Sequence, residues 1–454
     1  MTTLSDRLRG VIGGGLKVGR GASLDAPAIG GSEDPPLREA NDDAVAEVLD
    51  GEWHERSGQR FLVVDRMYVP GYRHGSMALA DGLPPSDGIW PRLSLLANGA
   101  ASNRLLFVDL ETTGIAGGAG TYAFLVGCAW FAGGTFRTRQ FFLSSFTAER
   151  ALLEAVGDLG ADAGTVVTYN GKSFDVPLIE TRFALHRLPS PFGEMPHIDM
   201  LHPARRMWRV ENTRRVENTR RVENTRRVEN APHVQQDVPS SCRLITLEQQ
   251  LCGYVREGDV AGFEIPARYF RYVHAGDPRP LAAVLEHNRL DLLSLALVTA
   301  RAAQLLEDGP TAARTAREAL GMGRLFERGG MMAEAKSSFA RAIEFGDADE
   351  DLRAEALRAY AHVARRLRQY DDAADAWRRV LGLTECPRPI EREASEALAV
   401  HHEHRRRDFV SARDFTLRLL DVDENSTRRQ AAEYRLARLD RKLESRAAQP
   451  ALLF

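Results

Sequence analysis

The chain has 454 residues, a formal net charge of −3 and a hydrophobic fraction of 44%. This length is enough for about three domains, and the apolar content is enough to fill their cores. The charge excludes a global basic field, although it does not exclude a local basic groove. The four cysteines stand far apart in the chain, without the spacing of metal ligands or of a disulfide framework.

The N-terminal sequence lacks the apolar core of a signal peptide. The longest apolar stretch, near residues 123–132, is about half of the ~20 residues that span a bilayer. We therefore expect a cytoplasmic protein without a membrane partner. Residues 1–55 are rich in Gly, Ala, Asp and Pro and have no sustained period, which predicts a largely disordered segment.

Residues 56–100 contain a strand-like sequence pattern that is interrupted by Pro70, Gly71 and Gly75. We expect a small β-like segment that packs on the following domain. His74 falls among these breakers, where a turn or surface position is the simplest prediction.

Alternating helix and strand patterns follow in residues 101–306. Apolar runs predict strands at 104–110, 123–131, 136–143 and 165–169. Helical spacing predicts a helix over 147–159 with Thr147 as its N-cap, and a second helix that begins at Asp175. A longer helix is expected from Pro280 to Leu306. This order predicts an α/β fold with a mixed central sheet flanked by helices.

Two further regions differ in composition. Residues 209–230 repeat the unit RVENTR, and a period of six puts no apolar stripe on a helix, so we expect a low-complexity, poorly ordered insertion. Residues 311–445 are rich in Arg, Ala and Glu, and Ala335, Ala373 and Ala412 recur at spacings of 38 and 39. Small residues at such intervals are typical of stacked helical hairpins, so an all-α helical-repeat domain is predicted.

The text FVDLETTG places two acids at the end of a predicted strand. Asp109 and Glu111 are two positions apart, and side chains at that spacing share one face of an extended chain. Open α/β sheets place their sites at the carboxyl ends of strands. Acidic groups gathered there repel one another, and a pair of divalent metal ions is the usual compensation.

The text HNRLD places His287 and Asp291 four residues apart on the long predicted helix, hence one turn apart on one face. An unperturbed imidazole titrates at about pH 6.5, which suits a general base. Asp175, in the text YNGKSFD, would by itself be interpreted as a helix cap. The combination of a strand-borne DxE, a helix-start Asp and a helix-borne HxxxD is much more specific than any one motif.

The segments that carry these residues resemble those of the DEDD superfamily of 3′–5′ exonucleases, which have an RNase H-like fold. More narrowly, the chain resembles the YprB family, in which such a domain is joined to tetratricopeptide-like repeats. The resemblance covers about residues 100–305 well and 310–440 more loosely, on the segments YVPGYRHG, FVDLETTGIAGGAGTYAFLVG, TYNGKSFDVPLIETRF, DVAGFEIPARYFRY and LEHNRLDLLSL.

The resemblance implies a phosphodiester hydrolase that uses two Mg²⁺ or Mn²⁺ ions. Asp109, Glu111 and Asp291 would hold one ion, and Asp109 and Asp175 the other. An all-carboxylate set of ligands suits Mg²⁺ and Mn²⁺. His287 would act as the general base, as in the DEDDh branch, whereas family-B polymerase proofreading domains carry Tyr one turn before the last Asp.

Residues beside these motifs are candidates for substrate binding. Hydroxyls, bare backbone and an aromatic ring can contact a nucleotide, although packing or loop structure is an alternative for several of them. The candidates are Thr112, Thr113, Gly114, Tyr122 and Asn170. Asp199 is expected to cap a helix, and Arg182 to lie on a solvated helix face.

The expected substrates are the 3′ ends of single-stranded DNA or RNA, and the sequence does not distinguish the two. Two alternatives remain open. One is a catalytically silent adaptor that binds nucleic acid or a protein partner with the help of its helical repeats, and the other is a structure-specific endonuclease.

Overall fold

The computed structural model describes residues 42–82, 92–97, 101–102, 104–114, 120–209, 242–346, 348–422 and 425–447. The RVENTR repeat, apart from Arg209, lies outside these ranges, as do residues 1–41. Within the described ranges no helix has both the length and the apolar composition needed to cross a membrane.

A mixed sheet of seven strands forms the centre of the N-terminal half, beside a short two-stranded hairpin. The described strands, in chain order, are β1 (Glu52–Arg56), β2 (Gln59–Tyr68), β3 (Arg73–His74), β4 (Met77–Ala78), β5 (Leu105–Thr112), β6 (Ala123–Ala132), β7 (Thr135–Phe142), β8 (Thr165–Thr168) and β9 (His197–Asp199). The sheet order is β1-β2-β7-β6-β5-β8-β9. Neighbours from β1 to β5 are antiparallel, and β8 and β9 continue parallel to β5.

Helices flank the sheet and also form the described part of the C-terminal region. Those of the N-terminal half are α1 (Asp42–Leu49), α2 (Glu149–Ala161), α3 (Asp175–Leu185), α4 (Leu201–Met207), α5 (Leu244–Leu247), α6 (Ile265–Ala275) and α7 (Arg279–Asp308). Those of the C-terminal region are α8 (Ala316–Arg328), α9 (Met332–Glu344), α10 (Glu350–Arg366), α11 (Tyr370–Leu381), α12 (Arg388–His401), α13 (Phe409–Val422) and α14 (Ser426–Ala447).

The two faces of the sheet belong to different hydrophobic cores, because alternate residues of a strand point to opposite sides. On β5, Leu106 and Val108 share a core with α2, α3 and α6. Phe107 points to the other side, into a core that contains the C-terminal half of α7 and also α8, α9 and α10. The core beneath the sheet therefore continues into the helical region without a break at residues 306–311, where we predicted a domain boundary.

Two expectations for the N-terminal part need correction. Residues 42–55, which we assigned to a disordered segment, include α1 and all but the last residue of β1. The β-like segment that we expected to pack on the domain includes β2, which instead pairs with β7 inside the main sheet from Leu62 to Tyr68. A third, smaller correction concerns Thr147, which lies in a 3-10 turn before α2 and does not cap that helix.

The helical region brings the three recurring alanines to equivalent places. Ala335, Ala373 and Ala412 lie in α9, α11 and α13, and each is at most 5% exposed. Each of these helices packs on the one before it in the chain. Small side chains allow such helices to approach closely, which agrees with the fold class that we predicted.

Candidate active site

A row of three residues crosses the sheet beneath α7. Asp109 on β5 is paired with Gly127 on β6, which is paired with Gln140 on β7. A Cβ atom on Gly127 would lie 2.1 Å from Oδ1 of Asn288, so the missing side chain admits the helix. Asn288 Nδ2 donates to Oδ2 of Asp109 at 2.8 Å, and Gln140 Nε2 donates to Oδ1 of Asn288 at 2.8 Å. These contacts fix α7 over the sheet.

This register brings the helix-borne motif to the strand-borne motif. His287 and Asp291 flank Asn288 along α7, and their side chains are 18% and 19% exposed. Asp109 and Glu111 are partly exposed on β5. The side chains of the strand-borne motif and of the helix-borne motif thus lie together at one end of the sheet.

Asp175 reaches the same place from α3. The helix begins at Asp175, as predicted, with Phe174 in the N-cap position. Burial raises the pKa of Asp175 to about 7, against the hydrogen bonds from its own backbone amide and that of Leu110, which lower it. Because Leu110 lies between Asp109 and Glu111, its amide places the Asp175 carboxyl beside both strand acids.

The electrostatics of the acids indicate that they lie close together. Burial raises the pKa of Asp109 well above its ordinary value, and the charges of Asp291, Glu111 and Asp175 raise it further. The pKa of Glu111 is raised for the same reasons, first by burial and then by Asp291 and Asp175. The hydrogen bond from Asn288 lowers the pKa of Asp109 only in part. The ionised forms of Asp109 and Glu111 are therefore disfavoured by burial and by repulsion from the neighbouring acids.

His287 is oriented by an aspartate that the sequence analysis did not select. Its Nδ1 donates to Oδ1 of Asp259 at 2.7 Å, and its Nε2 lies 3.7 Å from Oδ2 of Asp291. Burial would raise the pKa of Asp259, but the hydrogen bond from His287 and the charge of Arg256 outweigh it, and the pKa is lowered. An ionised Asp259 thus holds the proton on Nδ1 and leaves Nε2 free to accept one.

Arg256 joins three carboxylates of the site. Its guanidinium is 1% exposed and binds Glu248 Oε2 at 2.7 Å, Asp259 Oδ2 at 3.2 Å and Asp291 Oδ1 at 2.5 Å. Asp291 and Glu248 raise the pKa of Arg256, although burial alone would lower it. A permanently charged fork of this kind fixes the direction of each carboxylate that it binds.

His74 is completely buried, so our prediction of a turn or surface position was wrong. The hairpin of β3 and β4 packs tightly on the chain near Cys252, where a Cβ atom on Gly75 would lie 2.1 Å from the Cys252 carbonyl oxygen. His74 Nε2 lies 2.7 Å from Oε1 of Glu248. Because Glu248 binds Arg256 with its other oxygen, His74 is the far end of a buried polar chain that leads to the acids.

The donor set suits a hard divalent cation, because all four acids offer carboxylate oxygens and three have raised pKa values. Among the described residues, however, no three His, Cys, Asp or Glu side chains already stand in a metal-binding arrangement. Arg256 and Asn288 bind oxygens of Asp291 and Asp109. The residues therefore fit the ions in chemistry, and side-chain rotation would have to complete the geometry.

The predicted substrate-binding residues mostly make local contacts. Thr112 Oγ1 donates to the Gly114 carbonyl at 2.9 Å, and the backbone of Thr113 is hydrogen-bonded to that of Tyr122. Asn170 adopts a left-handed conformation with φ of 67°, and its backbone N–H donates to Oδ1 of Asp199 at 2.8 Å. All five candidates still lie on the segments that carry the acids.

Two neighbouring expectations also have outcomes. The guanidinium of Arg182 covers the ring of Tyr122 at 4.1 Å and forms a buried ion pair with Glu149, so it does not lie on a solvated face. Asp199 accepts from the backbone amide of Leu201, which begins α4, but Met200 holds the N-cap position of that helix, so Asp199 is not its N-cap residue.

The sequence analysis missed Asn288, Arg256, Asp259 and Glu248. Asn288 lies inside the motif HNRLD, and Asp259 begins the segment DVAGFEIP, so both belong to segments that the sequence analysis quoted. Nothing in their spacing relates them to the acids, because their partners are up to 179 positions away.

The mixed seven-stranded sheet with flanking helices is an RNase H-like fold. Residues 106–303 match the sequence profile of the RNase H superfamily, whose members of nuclease type act on nucleic acid. Over 394 residues, the chain is also 28% identical to the uncharacterized protein YprB of Bacillus subtilis (strain 168), and the match covers 85% of this chain and 86% of that protein. The predicted fold class is confirmed.

Proposed function

We propose that residues 101–306 are a metal-dependent 3′–5′ exonuclease domain of the DEDD type that acts on single-stranded DNA or RNA. The observation that carries this proposal is the convergence of Asp109, Glu111, Asp175 and Asp291, each of which acts electrostatically on at least one of the others. The product would be a nucleoside monophosphate released from the 3′ end.

In this proposal the four acids would hold two Mg²⁺ or Mn²⁺ ions. Asp109, Glu111 and Asp291 would hold one of them, and Asp109 and Asp175 the other. The ions, when bound, stabilise the attacking and the leaving oxygen of the phosphodiester. Arg256 keeps Asp291 turned toward the site, since its Nη2 binds Oδ1 and leaves Oδ2 available.

His287 takes the proton of the attacking water on Nε2. Its Nδ1 proton stays in the hydrogen bond to Asp259, so a second proton makes the ring positive beside an ionised carboxylate. That carboxylate stabilises the imidazolium and holds the ring plane, as the buried aspartate of a catalytic triad does. Thr112, Thr113, Gly114, Tyr122 and Asn170 would contact the terminal nucleotide.

For residues 311–445 we propose tetratricopeptide-like repeats that can also bind a protein partner. The equivalent burial of Ala335, Ala373 and Ala412 supports repeated helical units. Cytoplasmic localisation also remains a proposal, and we assign no function to the RVENTR repeat.

The test is a cleavage assay on three substrates with Mn²⁺. Linear single-stranded DNA and RNA carry a label at the 5′ end, and the third substrate is circular single-stranded DNA. We expect a ladder that shortens one nucleotide at a time on a linear substrate and an intact circle. Immediate release of a labelled mononucleotide would mean the opposite polarity, and a cut circle would favour the endonuclease.

The variant Asp109→Asn is the matched control, because its amide keeps an oxygen for the hydrogen bond from Asn288 and removes only the charge. It should abolish cleavage while the protein stays folded. Cleavage at the wild-type rate by this variant would contradict the site, and absence of cleavage by the folded wild-type protein with bound Mn²⁺ would favour the adaptor.

A further inference from the structure

The helical region contacts the RNase H-like domain at α4, the helix that follows β9. Helix α8 packs on α4, and a Cβ atom on Gly321 of α8 would lie 2.6 Å from the carbonyl oxygen of Arg206 and 2.8 Å from Cα of Met207. Trp208, just after α4, donates from Nε1 to Oε1 of Glu318 at 2.9 Å. The two backbones therefore meet at a fixed point.

Basic side chains gather on both sides of this contact. Arg324 and Arg328 follow Gly321 by three and seven residues, which places them on the same face of α8. Burial, and then the positive charges of Arg328 and Arg324, lower the pKa of Arg206. Burial and the charge of Arg328 also lower the pKa of Lys172, which lies in the loop between β8 and α3. We call Lys172, Arg206, Arg324 and Arg328 the basic patch.

The positive charge of the basic patch is largely uncompensated. Arg324 pairs with Glu355 at 2.8 Å, and Arg328 donates to the backbone carbonyl of Leu95. Within the described ranges, no carboxylate forms an ion pair with Lys172, Arg206 or Arg328. Like charges held together in this way cost free energy unless an anion binds between them.

The nearest acid to Lys172 does not neutralise the patch. Asp199 raises the pKa of Lys172, but its oxygens accept hydrogen bonds from the backbone amides of Asn170, Lys172 and Leu201. Asp199 also raises the pKa of Asp175, so it lies close enough to interact with both Lys172 and Asp175. The patch thus adjoins the candidate active site through the loop YNGKSFD, in which Lys172 precedes Asp175 by three positions.

We propose that the basic patch binds the phosphates of a single nucleic-acid strand whose 3′ end lies among the acids, so that helix α8 supplies part of the substrate-binding surface. Arg is suited to phosphate oxygens through its fork of donors, and Lys binds them as a point charge. This inference rests on the proposed function, because it takes the acid cluster as the place of the terminal nucleotide. It assigns the helical region a role in holding the substrate itself.

The test measures binding without cleavage. A 5′-fluorescein-labelled single-stranded oligonucleotide is titrated in EDTA with the full-length wild-type protein and with Arg206→Gln/Arg328→Gln. The matched control is Arg379→Gln/Arg428→Gln, which removes two exposed arginines of α11 and α14, so both variants have the same net charge. A third variant, Arg206→Lys/Arg328→Lys, keeps the two charges in the patch.

We expect the glutamine pair in the patch to weaken binding about tenfold or more in low salt, because two phosphate contacts are lost. Each lost contact should also make the negative slope of log K against log salt shallower by about 0.7. The slope should thus be smaller by about 1.4 for two contacts. The control pair should stay within about twofold of wild type, and the lysine pair should restore most of the affinity. Circular dichroism checks that each variant is folded.

Equal binding by the patch variant and the control variant, with wild-type binding intact, would overturn the inference and leave the proposed function in place; the patch would then serve another polyanion, such as an acidic protein. If the wild-type protein binds no oligonucleotide at all, the inference and the proposed function both fail. A single variant, Arg328→Gln, repeats the comparison at an exposed position in case the double variant does not fold.

Discussion

Asp259 accepts the hydrogen bond that Nδ1 of His287 donates, across 2.7 Å and 28 positions of sequence. This pair turns Nε2 of the imidazole toward Asp291, where a proton acceptor is needed if the acids hold a phosphodiester. Because the hydrogen bond to Asp259 keeps the proton on Nδ1, the neutral ring of His287 has one defined tautomer, with Nε2 unprotonated.

The first prediction concerns this pair. Asp259→Asn should lower kcat by about 10- to 100-fold, a part of the ~10²–10⁴ that a positioned general base contributes, with a smaller change in KM. The charge that stabilises the imidazolium is lost, while the shape of the side chain is kept. Initial rates on a 5′-labelled oligonucleotide over a range of pH measure the effect.

Glu257→Gln is the matched control for this measurement, because it removes a negative charge from an exposed neighbour two positions away. We expect its kcat to equal that of wild type. Equal rates for the Asp259 variant and wild type, beside a large loss in His287→Ala, would show that His287 acts without Asp259.

The second prediction concerns the buried guanidinium. Arg256→Gln should reduce the free energy of unfolding by about 3–5 kcal/mol, because it leaves buried carboxylates without their partner. Urea unfolding followed by fluorescence measures it. Arg279→Lys, at an exposed ion pair, should leave the unfolding curve unchanged. Unfolding curves that coincide for the Arg256 variant and wild type would rule out this role of Arg256.

The third prediction is a pH dependence of stability without metal. The pKa values of Asp109 and Glu111 are raised, and that of Asp175 is raised to about 7. Between the ordinary value of ~4 and these raised values, the folded protein binds more protons than the unfolded chain. The contribution of these groups to the free energy of unfolding is therefore present at low pH and is lost as pH rises toward 7.

Asp109→Asn removes one of these groups and the repulsion that it exerts. We expect its melting temperature in EDTA to exceed that of wild type by more at pH 8 than at pH 5. Thermal denaturation at the two pH values measures the difference. A larger advantage at pH 5 would mean that the acids do not repel one another in the folded protein.

The fourth prediction concerns metal binding. At pH 8, Mn²⁺ should raise the melting temperature of wild type, since a ligand at 100 times its Kd stabilises the folded state by about 2.7 kcal/mol. The melting temperature of Asp109→Asn should rise much less, because the carboxylate that would bind both ions loses its charge. An equal response of both proteins would place the bound ion elsewhere.

The fifth prediction concerns the close approach of helix and sheet. Gly127→Ala should destabilise the fold by about 1–3 kcal/mol and impair cleavage, because the new Cβ would lie 2.1 Å from Asn288 Oδ1. Gly262→Ala is the control, since a Cβ atom at that position meets nothing within 4 Å. Unfolding by urea and cleavage rates test both, and a neutral Gly127→Ala would mean that α7 moves away without consequence.

Much of the fold could be predicted from local patterns. The apolar runs of β5, β6 and β7 and the long helix α7 were predicted within a few residues of their observed bounds. The place of β2 could not be predicted, because its partner β7 is more than 60 positions away and the pairing depends on the whole sheet. His74 was misjudged for the same reason, since its burial depends on contacts with residues near 248–252.

The sequence by itself determined which side chains share a face: Asp109 with Glu111 on a strand, and His287 with Asp291 on a helix, because backbone periodicity is local. Only the tertiary structure decided what these side chains meet. Arg256, Asp259 and Asn288 contact the predicted residues across 28 to 179 positions, and no local period encodes a contact of that range. Burial then raises the pKa values of Asp109, Glu111 and Asp175, because desolvation is a property of the assembled fold and not of any segment.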